Sequence, residues 1–501
     1  VCGTDCGGYV MSQYWMLIAI LLPIVGGILV KVIPFSNRRI MKIYLECIMI
    51  VTSVIVFLLA GMRPQGKLEV VHFMQDLSIS FQIDGMSMVF SVLVAALWPL
   101  AMLYSFEYME HEKHQRVFFM FYSITYGVTL GISYASDMLS MYFFYELLTL
   151  VTVPLILHSL SRQAIHATRK YLYYSLGGAA FALIGIVFLM VYGNQLDFVM
   201  GGVLNLEKIG DKKQVLLVVY LIACMGFGVK AAMWPMGSWL PDAGVAPTPV
   251  TALLHAVAVV KAGVFAIIRL TYYSFGTDFL RGTWVQAVVM AFAMFSVVYG
   301  CTRAVMERHI KRRLAYSTIS NLSYIIFSAA IMTPLGLVGA LTHMICHACM
   351  KICSFLCAGA VMHQTEKTYI DDLNGYGRKM PVVFGCFTVS ALGLMGVPGL
   401  AGFISKWNIA KAAVASERLQ AYLGVGCLLI SAFLTSIYMM SIVFRAYFPG
   451  RNFRYEDIEE VKDPSWRMCL PLMLFALAVI CLGLFSGPLV RFFTDVASGM
   501  Y

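Results

Sequence analysis

Long apolar runs separated by short polar connections recur from one end of the chain to the other. As helices, runs of about 18 residues or more are long enough to cross the hydrocarbon of a bilayer. A window of roughly 20 residues resolves about 14 of them. They lie near 15–33, 40–60, 85–106, 117–135, 138–160, 170–192, 215–236, 249–273, 284–301, 314–332, 336–361, 382–410, 421–446 and 468–490. The connections are too short for a soluble domain, so the pattern predicts an all-α polytopic membrane protein of about 14 transmembrane helices.

Two of the runs carry their own interruption. The seventh passes into KAAMWPMGSWLPD with Pro235 and Pro241, and the twelfth contains MGVPGLAGF at 395–403. Proline removes an intrahelical donor and glycine loosens the backbone, so both runs are expected to unwind within the membrane. Broken helices at corresponding places in two halves are the sequence pointer to a transporter's site. The breaks lie about 165 residues, or five runs, apart. That spacing suggests two five-helix repeats, covering runs 4–8 and 9–13.

Composition agrees with the pattern. Of 501 residues 60% are apolar and 12% charged, about half the charged share of a soluble domain. Nucleic-acid binding, a secreted disulfide scaffold and a soluble enzyme are excluded with it. The net charge of +10 reads as the positive-inside bias of a membrane protein. Lys and Arg favour the odd-numbered loops roughly two to one, which places those loops in the cytoplasm and both termini outside. The basic stretch ERHIKRR (307–313), centred on Arg312, belongs to that signal. The opening residues hold Cys2 and Cys6 but neither an initiator Met nor signal-peptide features. They read as a trimmed or incomplete start rather than a metal site, with insertion directed by the spans.

The candidate chemistry is a set of ionisable groups inside apolar runs. Glu146 lies in MYFFYELLTLVTVPLIL, Lys230 in CMGFGVKAAMWP, and His255 and Lys261 in ALLHAVAVVKAGVF. His343, His347 and Lys351 lie in LTHMICHACMKICSFL, and Lys406 follows the second break in GFISKW. Each would cost about 2.5–3.5 kcal/mol facing lipid at the bilayer centre. Snorkelling to the headgroups explains one such residue, but not the ensemble. The spacing of four puts His343, His347 and Lys351 on one helix face over two turns, whereas His255 and Lys261, six apart, point to different sectors. Histidine and buried lysine are the groups a proton relay requires. A Glu146–Lys230 pair would act as its switch, because moving the carboxylate away promotes release of the lysine proton. Cys346, Cys349, Cys353 and Cys357 form a rival stripe on the same helix. Ligands spread along three turns of one straight helix do not close around a single metal, so helix packing is the reading of the stripe.

With these residues in place the sequence resembles the antiporter-like subunits shared by respiratory complex I, Mrp-type cation/proton antiporters and membrane-bound hydrogenases. The likeness runs from FQIDGMSMVF (81–90) to about 445. It is most specific in GFGVKAAMWPMGSWLPDAGVAPTPVTALLHAVAVVKAG (226–263), with further support in HMICHACMKICSFLCAGAV (343–361) and VPGLAGFISKW (397–407). The resemblance implies two inverted five-helix repeats, each with a broken helix. It divides the chain into residues 1–116, 117–275 (first repeat), 276–447 (second repeat) and 448–501. Glu146 and Lys230 would be the coupled pair of the first half-channel and Lys261 the central lysine. His255, His343, His347 and Lys351 would connect them to a terminal Lys406. Lysine at 406 resembles the Mrp D-type subunit, whereas a complex I subunit carries glutamate there. Family members often have histidine before the WLP, where this chain has Gly237-Ser238, and Gly244-Val245 replace polar residues in the following loop.

The leading expectation is a proton-translocating subunit of a multisubunit cation(Na+)/proton antiporter in a prokaryotic cell membrane. Its partners would be homologous antiporter-like and small hydrophobic membrane subunits, with protons, and in that assignment Na+, as cargo. The alternatives are a proton-pumping subunit of a redox-driven complex and, third, a self-sufficient secondary transporter. The chain holds no P-loop, nicotinamide fingerprint or cysteine set placed for a cluster. No cofactor is expected in it, and iron–sulfur or nickel–iron centres, in the redox reading, belong to partner subunits.

Overall fold

The computed structural model describes residues 6–74, 77–450, 453–458 and 460–500. Cys2 and the side chain of Cys6 lie outside what it describes. Among the described residues twelve helices are long and apolar enough to cross a membrane. They match twelve of the expected runs, and the remaining two differ for physical reasons. Ile310–Ala330 is a continuous helix but a polar one, with Ser317, Thr318, Ser320, Asn321 and Ser323 all buried on it. The twelfth run is a pair of shorter helices, Pro381–Met395 and Ala401–Ala415, on either side of the second break.

Polar caps set the helix starts. The Asp84 carboxylate accepts from Ser87 N and the Ser87 hydroxyl completes a capping box at the head of Gly85–Tyr108. Asp137 accepts from Ser140 N to start Met138–Ile156, and Ser161 and Thr333 do the same for Arg162–Tyr192 and Pro334–Thr365. Burial identifies the centre of the bundle. The most apolar stretch of Thr248–Phe275 is 100% buried and that of Pro334–Thr365 94%, against 39% for Arg38–Met62. The first two are therefore wrapped by protein, and Arg38–Met62 presents its apolar side outward.

Both expected breaks are present. The helix Lys213–Lys230 stops at Lys230, and the chain resumes as a short helical turn at Trp239–Ala243. Pro381–Met395 stops at Gly396, whose φ of 93° is a left-handed conformation that glycine adopts without strain. A third break was not foreseen. The eighth run is Thr248–Ala256 followed by Val259–Ile268, joined through Val257 and Ala258, and it ends as a π-helical segment, Arg269–Phe275. Two further elements escaped the hydropathy pattern. An antiparallel hairpin, β1 (Leu68–Met74) and β2 (Leu77–Phe81), packs against the start of Met138–Ile156, and an amphipathic helix, Gly487–Ala497, follows the last span, Trp466–Leu484.

Candidate functional site

The first break ends a helix at a buried lysine. Lys230 Nζ lies 3.8 Å from Glu146 Oε1, an ion-pair contact too long to be a hydrogen bond. The ammonium donates instead to the Tyr145 carbonyl and sits 3.4 Å from the centre of the Tyr145 ring, a cation–π contact. The Tyr145 hydroxyl in turn donates to Phe227 O at 3.3 Å, tying the Glu146 helix to the end of the Lys230 helix. Glu146 Oε1 has no hydrogen-bond partner. The carboxylate is thus beside the lysine without being locked to it.

The route from this pair to the centre passes through a glycine. A Cβ at Gly263 would meet Ala231 N at 2.4 Å and the Lys230 carbonyl carbon at 2.8 Å. Only glycine lets Val259–Ile268 lie against the broken end of the first helix, with Lys261 two residues away.

At the centre Lys261 Nζ and His347 Nδ1 are 2.6 Å apart, both fully buried. Two cationic groups at that distance repel strongly in a low-dielectric interior. The contact therefore requires that one partner offer a lone pair, so a single proton is shared between them. His347 stacks on His343 with ring centres 5.8 Å apart, and His343 Nδ1 meets the Ser405 hydroxyl at 2.9 Å. Tyr324 packs edge-on against His343 at 5.3 Å and lies under Lys406 Nζ at 5.5 Å. Lys406 donates to Leu394 O at 2.6 Å and Met395 O at 3.3 Å, the exposed carbonyl end of the broken helix. His255 packs on Phe355 at 4.7 Å, and Lys351 donates to Leu314 O at 3.1 Å.

Of the eight residues singled out in the sequence, Lys230, His255, Lys261, His343, His347 and Lys351 are fully buried, and Glu146 and Lys406 are half-buried. The Nε2 atoms of His343 and His347 and both ring nitrogens of His255 are buried without a partner among the described residues. Polar atoms left so in an interior are where bridging water binds. What this arrangement can do is pass protons between weakly held nitrogen bases. The cysteine stripe takes no part in it. Cys346, Cys349, Cys353 and Cys357 are buried and unpaired, and Cys353 Sγ donates weakly to Cys386 O at 3.6 Å. Among the described residues no group of three or more His, Cys, Asp or Glu could hold a metal ion.

Sequence reasoning missed several groups. Arg269, 1% exposed, forms a bidentate ion pair with Asp84 at 2.5 and 2.7 Å, and its guanidinium lies 4.6 Å from the Phe198 and Tyr273 rings. Burial pushes the Asp84 carboxyl up, but the guanidinium and the cap N–H outweigh it and hold the group below the ordinary carboxylate range. Arg269 sits eight residues past Lys261 near the end of an apolar run, where a basic residue reads as a helix end. Ser405 and Tyr145 stand beside Lys406 and Glu146 but carry no hydropathy signal. Lys311 and Arg313 of the basic stretch are buried, not exposed on a loop.

The family description "NADH:quinone oxidoreductase/Mrp antiporter, TM" matches residues 135–447, and "NADH-Ubiquinone oxidoreductase (complex I), chain 5 N-terminus" matches residues 72–119. The first match spans well over half of the chain, and the chain belongs to that family. The stretches that carried the resemblance, 226–263, 343–361 and 397–407, lie inside it, and 81–90 lies inside the second. NADH-quinone oxidoreductase subunit N of Desulforudis audaxviator (strain MP104C) is 29% identical over 425 residues, 82% of this chain and 83% of the relative. A chain of the membrane-bound sulfane sulfur reductase, an archaeal respiratory membrane complex, shares the fold with a TM-score of 0.84 at 23% identity, over 96% of this chain and 97% of that one. A chain of the Mrp complex from Dietzia sp. DQ12-45-1b does so with a TM-score of 0.84 at 19% identity, over 98% of both chains.

Proposed function

From membership of that family, we propose that this chain is the proton-translocating, antiporter-like subunit of a multisubunit membrane complex. Protons move along Glu146, Lys230, His255, Lys261, His343, His347, Lys351 and Lys406. The observation that carries the reading is the Lys261–His347 contact at 2.6 Å in a fully buried interior. A lysine placed there for stability alone would be paired with a carboxylate, because an uncompensated buried charge costs several kcal/mol.

Glu146 sets the state of the first lysine. While the carboxylate is close, Lys230 keeps its proton, and when it moves away the ammonium is held only by the Tyr145 carbonyl and ring. The proton then passes across the Gly263 contact to Lys261 and on through His347 and His343 towards Lys406. The chain supplies no energy source of its own, so the driving step belongs to partner subunits. Its relatives are named as parts of such complexes.

The finer assignment is to a Mrp-type cation(Na+)/proton antiporter, supported by lysine at position 406 and its carbonyl cage. The kinship with a quinone oxidoreductase subunit supports a second reading, in which redox partners with iron–sulfur or nickel–iron centres drive the same relay. The organisation proposed with either is an inverted pair of repeats, 117–275 and 276–447, flanked by 1–116 and 448–501. Both termini lie on the non-cytoplasmic side of a prokaryotic cell membrane.

In sealed vesicles holding the intact complex, Lys230→Ala should lower coupled proton movement by a factor of about 100 or more while the complex still assembles. Wild-type transport by that variant would end the relay reading. Metal analysis of the complex separates the two drivers. Small hydrophobic partners without iron fit the antiporter, and iron-bearing partners fit the redox complex.

A further inference from the structure

The stretch Glu307–Arg313 was read as a topology signal, yet its three consecutive basic residues have three different environments. Arg312 is half-buried and pairs with Glu307 at 3.3 Å and Asp242 at 3.9 Å. Arg313 is buried and spends its guanidinium on the carbonyls of Glu307 and Tyr438, at 2.8 and 2.9 Å. Lys311 is 5% exposed and makes no ion pair among the described residues. Its one hydrogen bond runs to Ala246 O at 2.8 Å, an acceptor it shares with the Thr251 hydroxyl. It also lies in the first turn of Ile310–Ala330, where the helix dipole disfavours a cation. Burial, the missing counter-charge and the dipole all work against a structural lysine here.

Lys311 faces solvent through a cavity of about 730 Å3, whose polar wall includes His166, Asp242, Glu307, His309 and Arg312. Burial and the nearby Lys311 push His309 below the ordinary histidine value. Lys351 is anchored on Leu314 O, one turn along the same helix, and Thr251, which shares the Ala246 carbonyl with Lys311, lies one turn before His255 on Thr248–Ala256. Neither ring nitrogen of His255 has a partner among the described residues.

We propose that Lys311 is the loading group of the relay: it exchanges a proton with water in this cavity and passes it through His255 to Lys351 and the Lys261–His347 pair. The transfer makes and breaks only N–H and O–H bonds. The Lys311 ammonium gives a proton to a His255 nitrogen, directly or over one water, and the amine recovers one from the cavity water. The inference rests on the proton-relay reading above.

The test uses the intact complex in sealed vesicles of both orientations. Lys311→Cys should react with a membrane-impermeant thiol reagent from the side on which Ile310–Ala330 begins, and not from the other. Lys311→Arg keeps the charge and a donor to Ala246 O but does not release a proton at working pH. It should assemble and lose at least ten-fold in transport, whereas Lys311→His, which titrates, should recover part of it. Full transport by Lys311→Arg, or no labelling of Lys311→Cys from either side, would overturn the proposal. Lys261→Ala, run in parallel, separates the two failures. Its loss of transport beside an unaffected Lys311→Arg removes only the loading group, and its retention of transport removes the relay and the loading group together.

Discussion

The two broken helices hold the same kind of residue by opposite means. At the first, Lys230 ends a helix and faces a carboxylate 3.8 Å away. At the second, Lys406 follows the break, meets no carboxylate among the described residues, and donates into Leu394 O and Met395 O, the negative end of the preceding half-helix. A carboxylate on a neighbouring helix can move, whereas helix carbonyls are part of the backbone that defines the site. On the proposed relay reading, switching belongs to the Glu146 end and a fixed terminus to the Lys406 end. Lys230→Ala, with its loss of about two orders of magnitude in transport, therefore breaks the moving half.

A third cation tests what a permanent carboxylate partner is worth. Arg269 is locked to Asp84 by two hydrogen bonds, so Asp84→Asn strands a buried guanidinium. It should cost about 3–5 kcal/mol, read as earlier thermal unfolding of the purified complex. Because the folded Asp84 carboxyl sits below its unfolded value, the pair's contribution is complete above the ordinary carboxylate pKa of about 3.9 and is lost as pH falls through the folded value. The unfolding temperatures of wild type and Asp84→Asn should then approach each other only in strong acid. A gap that closes already at pH 6 would contradict the pairing.

Gly263→Ala sharpens the comparison from the contact that joins the first break to the Lys261 helix. Its Cβ would meet Ala231 N at 2.4 Å, so the two helices must part, at about 1–3 kcal/mol. Proton transport should fall while the Lys406 end is untouched. The smallest effect is expected at Lys406→Gln, whose amide still donates to the Leu394 and Met395 carbonyls. Stability should change by about 1 kcal/mol although transport drops, and a large stability loss would show that the carbonyl cage needs the charge.

How much of this could be read from sequence follows from how each feature is encoded. Proline and glycine announced the breaks near 235 and 396, and apolar surroundings announced the eight ionisable residues. Lys311 sat in a basic run whose loop-like composition concealed that a helix starts at Ile310. Ile310–Ala330 itself is too polar to stand out as a span because its serines and asparagine face the bundle rather than lipid. The pairing of Asp84 with Arg269 joins residues 185 apart in sequence, which no local pattern can carry. The hairpin alternates too briefly, and with too many bulges between Glu69 and Met74, to stand out from a loop.

The bend at Val257 and Ala258 has a mechanical meaning. Both amides donate to the Leu253 carbonyl, so the regular ladder skips a rung in the most deeply shielded helix of the bundle. Hydropathy describes that helix as one rod, but in stiffness it is two, jointed between His255 and Lys261. Amide hydrogen exchange should register the joint as faster opening at 257–259 than in either flank. On the proposed relay reading, such a joint would let His255 move without carrying Lys261 away from His347.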